Sequence, residues 1–252
     1  MKTLSLHGSL PSGTTQPAPA IEAWLPDEAD RNGAAIVIFP GGGYWRHAEH
    51  EGKGYAEFFA AAGYCCFVTA YRVAEGGHRH PAMLEDALAA LYTVRSRAAE
   101  FGIRPNRIGV IGSSAGGHLA AHAVTAWDQY EAEVSLRPDF GILCYPVISM
   151  LGEHHHSGSA QNLHGGAPNP EQAAATSPEL LVTPQTPPCF LWHTREDPVV
   201  LSMNSLVFAQ ALERAGVDYE LHIYKTGRHG LGLDAGYDWS GLCLGWLEKI
   251  LA

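Results

Sequence analysis

An α/β fold built on a mostly parallel central sheet, with helices on both faces, is what this chain predicts. Three observations predict it. Short, continuous apolar runs rich in β-branched and aromatic residues alternate with longer amphipathic stretches, the pattern of strands covered on both sides by helices. Small residues and turn formers follow those runs, where the ends of parallel strands collect loops. The composition is globular, with 46% hydrophobic and 17% charged residues over 252 positions, long enough to bury a substantial single core.

Taken in order, the first twenty residues, MKTLSLHGSLPSGTTQPAPA, are expected to form an irregular arm, Ser/Thr/Pro/Ala-rich over 11–20, ahead of a single domain at 21–252. Residues 35–39 (AIVIF) read as a buried strand that stops at Pro40-Gly41. Residues 51–62 are helical in pattern and end at Gly63, and Cys65–Tyr71 is the next strand. Pro81 suits the first turn of a long helix running to Phe101, with Gly102 just past its end. Further strands are expected at 108–111, 140–145, 189–193 and 220–224, with helices near 115–126, 203–215 and 239–251.

Charge and cysteine usage narrow the function classes. Sixteen basic against 26 acidic residues leave a net charge of −10, which argues against nucleic acid or an anionic membrane as partner. The five cysteines are odd in number, sit mostly in strand-like runs and lack metal-site spacing, so they read as reduced core residues. The first residues lack the apolar segment of a secretory signal, and a cytoplasmic location is expected.

Chemistry is to be sought just after each strand. Pro40-Gly41-Gly42-Gly43-Tyr44-Trp45 follows the first core strand. Three successive glycines carry a heavy backbone-entropy cost, so they are expected to bring main-chain N–H groups close to a ligand. Neither a following Lys-Ser/Thr nor G-x-G-x-x-G spacing is present, so an oxyanion hole fits better than a phosphate cradle. After 108–111 comes G-x-S-x-G in one register only, Gly112-Ser113-Ser114-Ala115-Gly116, with Ser114 central. The alternative centred on Ser113 would put Ile111 where a small residue is needed. A strand–turn–helix context around this pentapeptide marks Ser114 as a nucleophile at the N-terminus of a helix. Arg195-Glu196-Asp197-Pro198 follows the penultimate strand and Gly227-Arg228-His229-Gly230 the last. The first offers two carboxylates, and its D-P-V-V pattern favours Asp197. The order Ser114, Asp197, His229 is that of α/β-hydrolases.

The segments FPGGGYW (39–45), YRVAEGGHRHPAMLEDALAAL (71–91), PNRIGVIGSSAGGHLAA (105–121), SPELLVTPQTPPCFLWHTREDPVV (177–200) and ELHIYKTGRHGLGL (220–233) resemble the α/β-hydrolases. More narrowly, they are similar to the small bacterial carbohydrate esterases of the BD-FAE family, which act on acetyl or feruloyl groups of plant xylan. The resemblance implies Ser114 as nucleophile, His229 as general base and Asp197 as its orienting carboxylate. It implies an oxyanion hole from the backbone N–H groups of Gly42 or Gly43 and of Ala115, and a single catalytic domain over 21–252. Pro40 stands where many relatives have His, Ser113 replaces a common Phe or Asp, Arg228 a common Gly, and Leu231 a common Phe. Tyr44, Trp45, Ser113 and His118 are candidate substrate contacts, and Trp239 is a further candidate stacking residue.

No large cap domain is expected. Only residues 146–188 are long enough to overhang the site, and they are polar and His-rich (Glu153-His154-His155-His156-Ser157, Asn162, His164). Such an overhang suits a sugar leaving group and a short acyl chain. Adjacent histidines diverge on regular backbone, so no metal is expected there, and no cofactor. The expected activity is hydrolysis of short-chain acyl esters, acetyl esters of xylan or xylo-oligosaccharides above all. A feruloyl esterase or general short-chain carboxylesterase is the alternative. A catalytically silent binding module would place no demand on all three of Ser114, Asp197 and His229.

Overall fold

A computed structural model describes residues 2–8 and 18–252. The strands are β1 (Lys2–His7), β2 (Ala20–Leu25), β3 (Ala35–Phe39), β4 (Cys65–Ala70), β5 (Ile108–Ser113), β6 (Gly141–Cys144), β7 (Cys189–Thr194) and β8 (Tyr219–Tyr224). The helices are α1 (Glu49–Ala61), α2 (Ala82–Ser96), α3 (Ala115–Thr125), α4 (Ser157–His164), α5 (Pro170–Ala175), α6 (Pro178–Leu181), α7 (Met203–Ala215) and α8 (Trp239–Ile250).

The strands form one sheet in the order β1-β2-β4-β3-β5-β6-β7-β8. From β4 across to β8 every pairing is parallel. β2 pairs antiparallel with both β1 and β4. Every residue of β3, β5, β6 and β7 is buried, because both faces of these strands are covered. On one face Leu84, Leu88 and Leu91 of α2, Leu119 of α3 and Phe208 of α7 pack with Val37, Val110 and Leu191. On the other, Tyr55 and Phe59 of α1 and Trp239 and Trp246 of α8 pack with Ile36, Ile111 and Trp192. This is the α/β-hydrolase arrangement the sequence predicts. All five cysteines are buried and unbridged. Among the described residues no helix is long and apolar enough to cross a membrane.

Two expectations are corrected. The irregular arm assigned to residues 1–20 contains a strand: Lys2–His7 pairs with β2, Leu4 opposite Ala23 and Leu6 opposite Ile21. β1 is mostly exposed at the sheet edge and β2 keeps two exposed residues beside it, so neither carries the continuous buried run that marks the central strands. Most of the Ser/Thr/Pro/Ala-rich stretch, at 11–17, lies outside the described residues. The long helix expected over 81–101 ends at Ser96, and a 3-10 turn takes over at Ala98–Phe101. There the chain tightens to reach β5, with the Ile103 N–H donating to the Ala98 carbonyl at 2.9 Å.

Parallel pairing sends the ends of β3, β5, β7 and β8 to one rim. The segment between β6 and β7, which holds α4, α5 and α6, folds back over α3 and α7 instead of forming a separate cap. At that rim β5 and α3 pass so close that a Cβ built on Gly112 would lie 2.0 Å from the Gly116 carbonyl oxygen, and one on Gly116 would lie 2.0 Å from that of Phe39. Gly116→Ala therefore forces β3, β5 and α3 apart. It is expected to lower unfolding free energy by about 3 kcal/mol, read as a drop in denaturant midpoint or as loss of soluble protein.

Candidate active site

Ser114 joins β5 to α3 with φ 56° and ψ −119°, a region L-residues avoid at a cost of about 1–3 kcal/mol. The corner is over-determined. The Ser114 N–H donates to the Cys144 carbonyl, and the Ser114 carbonyl accepts from the N–H groups of His118 and Val147, all at 3.0 Å. The side chain is thereby thrown to the first turn of α3, beside that helix's unpaired N–H groups.

His229 comes from the loop after β8 and Asp197 from the loop after β7. His229 Nε2 lies 2.7 Å from Ser114 Oγ, and His229 Nδ1 lies 2.6 Å from Asp197 Oδ2. Since a carboxylate only accepts, Nδ1 carries the proton and Nε2 is free to accept from the serine. Asp197 Oδ1 accepts from the N–H groups of Val199 (2.9 Å) and Val200 (3.0 Å). His193 Nε2 lies 3.5 Å from Asp197 Oδ2. Burial opposes ionisation of Asp197, but His193, His229 and the Val199 N–H outweigh it and hold the carboxyl well below the usual carboxylate range. Glu196, the other carboxylate in that loop, is exposed.

The glycine loop after β3 faces Ser114. A Cβ on Gly41 would lie 3.1 Å from Ser114 Cβ. Gly42, at φ +123°, also lacks room for a side chain, because its Cβ would come within 2.0 Å of the Arg46 carbonyl oxygen. The Gly41 N–H is committed to Glu51 Oε2 at 2.8 Å. Within the described residues, no protein acceptor takes up the N–H groups of Gly42 and Gly43. That of Ala115, first residue of α3, has no intrahelical acceptor. The sequence names these three N–H groups as candidate oxyanion donors. The loop is anchored from the overhang as well, where Asn162 Nδ2 on α4 donates to the Gly43 carbonyl at 2.8 Å.

Three of the four candidate substrate contacts are corrected. Tyr44, Ser113 and His118 are each 0% exposed. Tyr44, at φ 61°, turns its ring inward and donates its hydroxyl to His118 Nδ1 at 2.6 Å. His118 Nε2–H donates to the Thr176 carbonyl at 2.8 Å. Ser113 Oγ pairs with the Tyr55 hydroxyl at 2.8 Å. Trp239 is likewise fully buried and stacks on Trp192. Tyr44 and His118 tie the loop and α3 to the overhang, while Ser113 and Trp239 pack β5 and β7 against α1 and α8; none of the four faces solvent. Trp45 alone remains open, at 48% exposure.

Two buried residues beside the site lie outside the sequence motifs. Tyr145, directly after β6 and at φ 35°, sets its ring edge-on to His229 with centroids 5.2 Å apart. Its hydroxyl donates to Glu51 Oε1 at 2.7 Å and accepts from the Gly232 N–H at 2.9 Å. Glu51 is 2% exposed and lies in the first turn of α1. An acidic residue four before Tyr55 and eight before Phe59, on the buried face of a helix, is the signal that could have found it.

The BD-FAE family model matches residues 21–212. The endo-1,4-beta-xylanase B of Butyrivibrio fibrisolvens is 34% identical over 84% of this chain and 34% of its own length. An acetylxylan esterase of Xylanibacter ruminicola is 33% identical over 88% of this chain and 46% of its own. The chain thus spans about a third to a half of these curated relatives. A solved structure, the acetyl ester-xyloside bifunctional hydrolase from Caldicellulosiruptor lactoaceticus, superposes with a TM-score of 0.88 at 40% identity. That match covers 96% of this chain and 92% of the other.

The buried histidines make the overhang sensitive to acid. Burial pushes His118 down to about 3, with His80 and His164 adding to it, and pushes His80 to about 4. A histidine whose folded value is depressed binds fewer protons folded than unfolded, so stability rises with pH between the two values. The contribution is complete above the unfolded value near 6.5 and is lost as pH falls towards the folded one. His118 alone is expected to remove about 2 kcal/mol of stability between pH 7 and pH 5, measured as a shift in denaturant midpoint.

Proposed function

The chain belongs to the BD-FAE family, and we propose that it is a serine ester hydrolase removing short acyl groups, acetyl foremost, from xylan or xylo-oligosaccharides. One observation carries the reading. Ser114 Oγ, the His229 imidazole and the Asp197 carboxylate form an unbroken chain of hydrogen bonds of 2.7 and 2.6 Å, on a strained corner facing the unused amides of a glycine loop.

In this reading His229 Nε2 takes the proton from Ser114 as Oγ attacks the ester carbonyl, while Asp197 fixes the tautomer and stabilises the imidazolium. The N–H groups of Gly42 or Gly43 and of Ala115 receive the oxyanion, each contributing about 3 kcal/mol. His229 then protonates the departing alcohol. Water, activated by the same imidazole, cleaves the acyl-enzyme and restores Ser114. No metal or cofactor takes part in these steps, and the partner is a small ester or acetylated oligosaccharide, neither nucleic acid nor membrane.

The substrate class rests on the overhang. Apart from Leu180, its exposed residues are polar, small or proline; Asn162 bonds the glycine loop and His164 bonds the Thr176 hydroxyl within the overhang itself. That surface suits a hydroxylated alcohol better than a greasy acyl chain. The names of the relatives, an acetylxylan esterase and an acetyl ester-xyloside hydrolase, agree with it. Acetate release from acetylated xylo-oligosaccharide, compared with hydrolysis of p-nitrophenyl acetate and methyl ferulate, separates the readings. A clear preference for the ferulate moves the assignment to a feruloyl esterase, and indifference to the sugar moves it to a general carboxylesterase.

Ser114→Ala is expected to leave KM nearly unchanged and to lower kcat by about 10⁴–10⁶, with loss of stoichiometric labelling by a fluorophosphonate. A variant retaining a tenth of the wild-type rate, or a wild-type protein that takes no label, rejects the nucleophile and favours a silent binding module.

A further inference from the structure

We propose that Glu51 is the positioning residue that keeps the oxyanion loop and the histidine loop in register, a role that rests on the serine-hydrolase reading above. The side chain enters the site from behind. Oε2 accepts the Gly41 N–H at 2.8 Å and Oε1 accepts the Tyr145 hydroxyl at 2.7 Å. The same Tyr145 oxygen accepts the Gly232 N–H at 2.9 Å, three residues beyond His229. One carboxylate thus spans loops that follow β3, β6 and β8, and Tyr145 sets its ring edge-on to that of His229 on the way, centroids 5.2 Å apart.

The chemistry of the bridge requires a carboxylate. Both partners of Glu51 are donors, and only a carboxylate offers acceptors on both oxygens. His50 Nε2 lies 3.8 Å from Oε1, on a side chain exposed at 58%. The side chain of Glu51 is held by the two hydrogen bonds and lies in the N-terminal turn of α1. Glu51 also decides which amide reaches the substrate. By holding the Gly41 N–H it removes that donor from the hole and presents Gly42 and Gly43 instead. The close packing of Gly41 on the Ser113 carbonyl and Ser114 Cβ, 2.6 and 3.1 Å from an added Cβ, leaves the loop little freedom once that bond is made. Glu51 touches neither substrate nor reacting atoms, so its effect is expressed through the placement of the oxyanion donors and of His229.

Glu51→Gln replaces one acceptor by an NH₂ group. Turned towards Gly41 it opposes two donors; turned towards Tyr145 it displaces the hydroxyl proton while Gly232 still occupies the oxygen. The experiment measures p-nitrophenyl acetate hydrolysis, fluorophosphonate labelling rate and melting temperature for wild type, Glu51→Gln, Glu51→Asp and Tyr145→Phe. Wild-type turnover and labelling test the serine-hydrolase reading first, independently of Glu51. Given those, Glu51→Gln is expected to lose about 100-fold in kcat with KM within threefold, and the labelling rate to fall in parallel. Tyr145→Phe, which deletes one arm of the bridge, should lose less than Glu51→Gln, again in kcat and not KM. A Glu51→Gln kcat within threefold of wild type overturns the proposal. So does a loss of melting temperature with kcat of the folded fraction unchanged. If Glu51→Gln and Glu51→Asp do not fold, an unaltered kcat in Tyr145→Phe overturns it.

Discussion

The close crossing of β5, α3 and β3 at Gly112, Gly116 and Phe39 is the constraint on which the site depends. Atoms of three elements meet there with no space for a single added carbon. The chain can leave β5 and enter α3 only through a corner as sharp as the one at Ser114, whose φ of 56° no serine adopts unaided. The energy for that conformation comes from the buried strands around it, which are covered on both faces and cannot relax separately. A hydroxyl on such a corner is exposed to a neighbouring imidazole, while its backbone stays locked between Cys144 and Val147.

From this corner the rest of the site is arranged by hydrogen bonds to backbone, which fix loops without filling the pocket. The Tyr71 hydroxyl donates to the Pro40 carbonyl at 2.5 Å, Glu51 holds Gly41, and Asn162 holds Gly43. Three tethers on four successive residues leave the glycine loop far less mobile than its composition suggests. For the proposed hydrolase that rigidity matters, because donors held in place before reaction need no reorganisation when charge develops. The Asp197 side is built on the same plan, with one oxygen spent on two backbone amides and the other on His229.

Much of this was legible in the chain. Apolar runs located β3 to β7, alternation located the half-buried β8, and parallel pairing then said that residues following β3, β5, β7 and β8 meet. That alone brought Ser114, Asp197, His229 and the glycine loop to one rim. What escaped was the direction in which individual side chains point. Tyr44 and His118 lie within a residue or a turn of chemistry-bearing positions, yet a positive φ at Tyr44 and the inner face of α3 turn both into the core. Glu51 carries only the weak signal of an acidic residue on a buried helix face, and its pairing with Tyr145 has no local pattern because it crosses 94 residues of chain. Strands β1 and β2 escaped because a half-covered edge needs no run of apolar residues. The fold and the grouping of the candidate site residues were therefore readable from composition and order. The supporting contacts were not, since they are set by packing between distant segments.

The bond from Asn162 to the Gly43 carbonyl has a consequence for how relatives of this chain can diverge or be re-engineered. Substrate preference in the proposed hydrolase is most easily altered by exchanging the overhanging segment, and here that segment spans 146–188. In this protein the overhang also carries a strut for the glycine loop. A transplanted overhang lacking an amide at the equivalent of position 162 would arrive with its new selectivity and a loosened glycine loop together. Swaps between homologues should then trade turnover for specificity unless the strut is moved across with them.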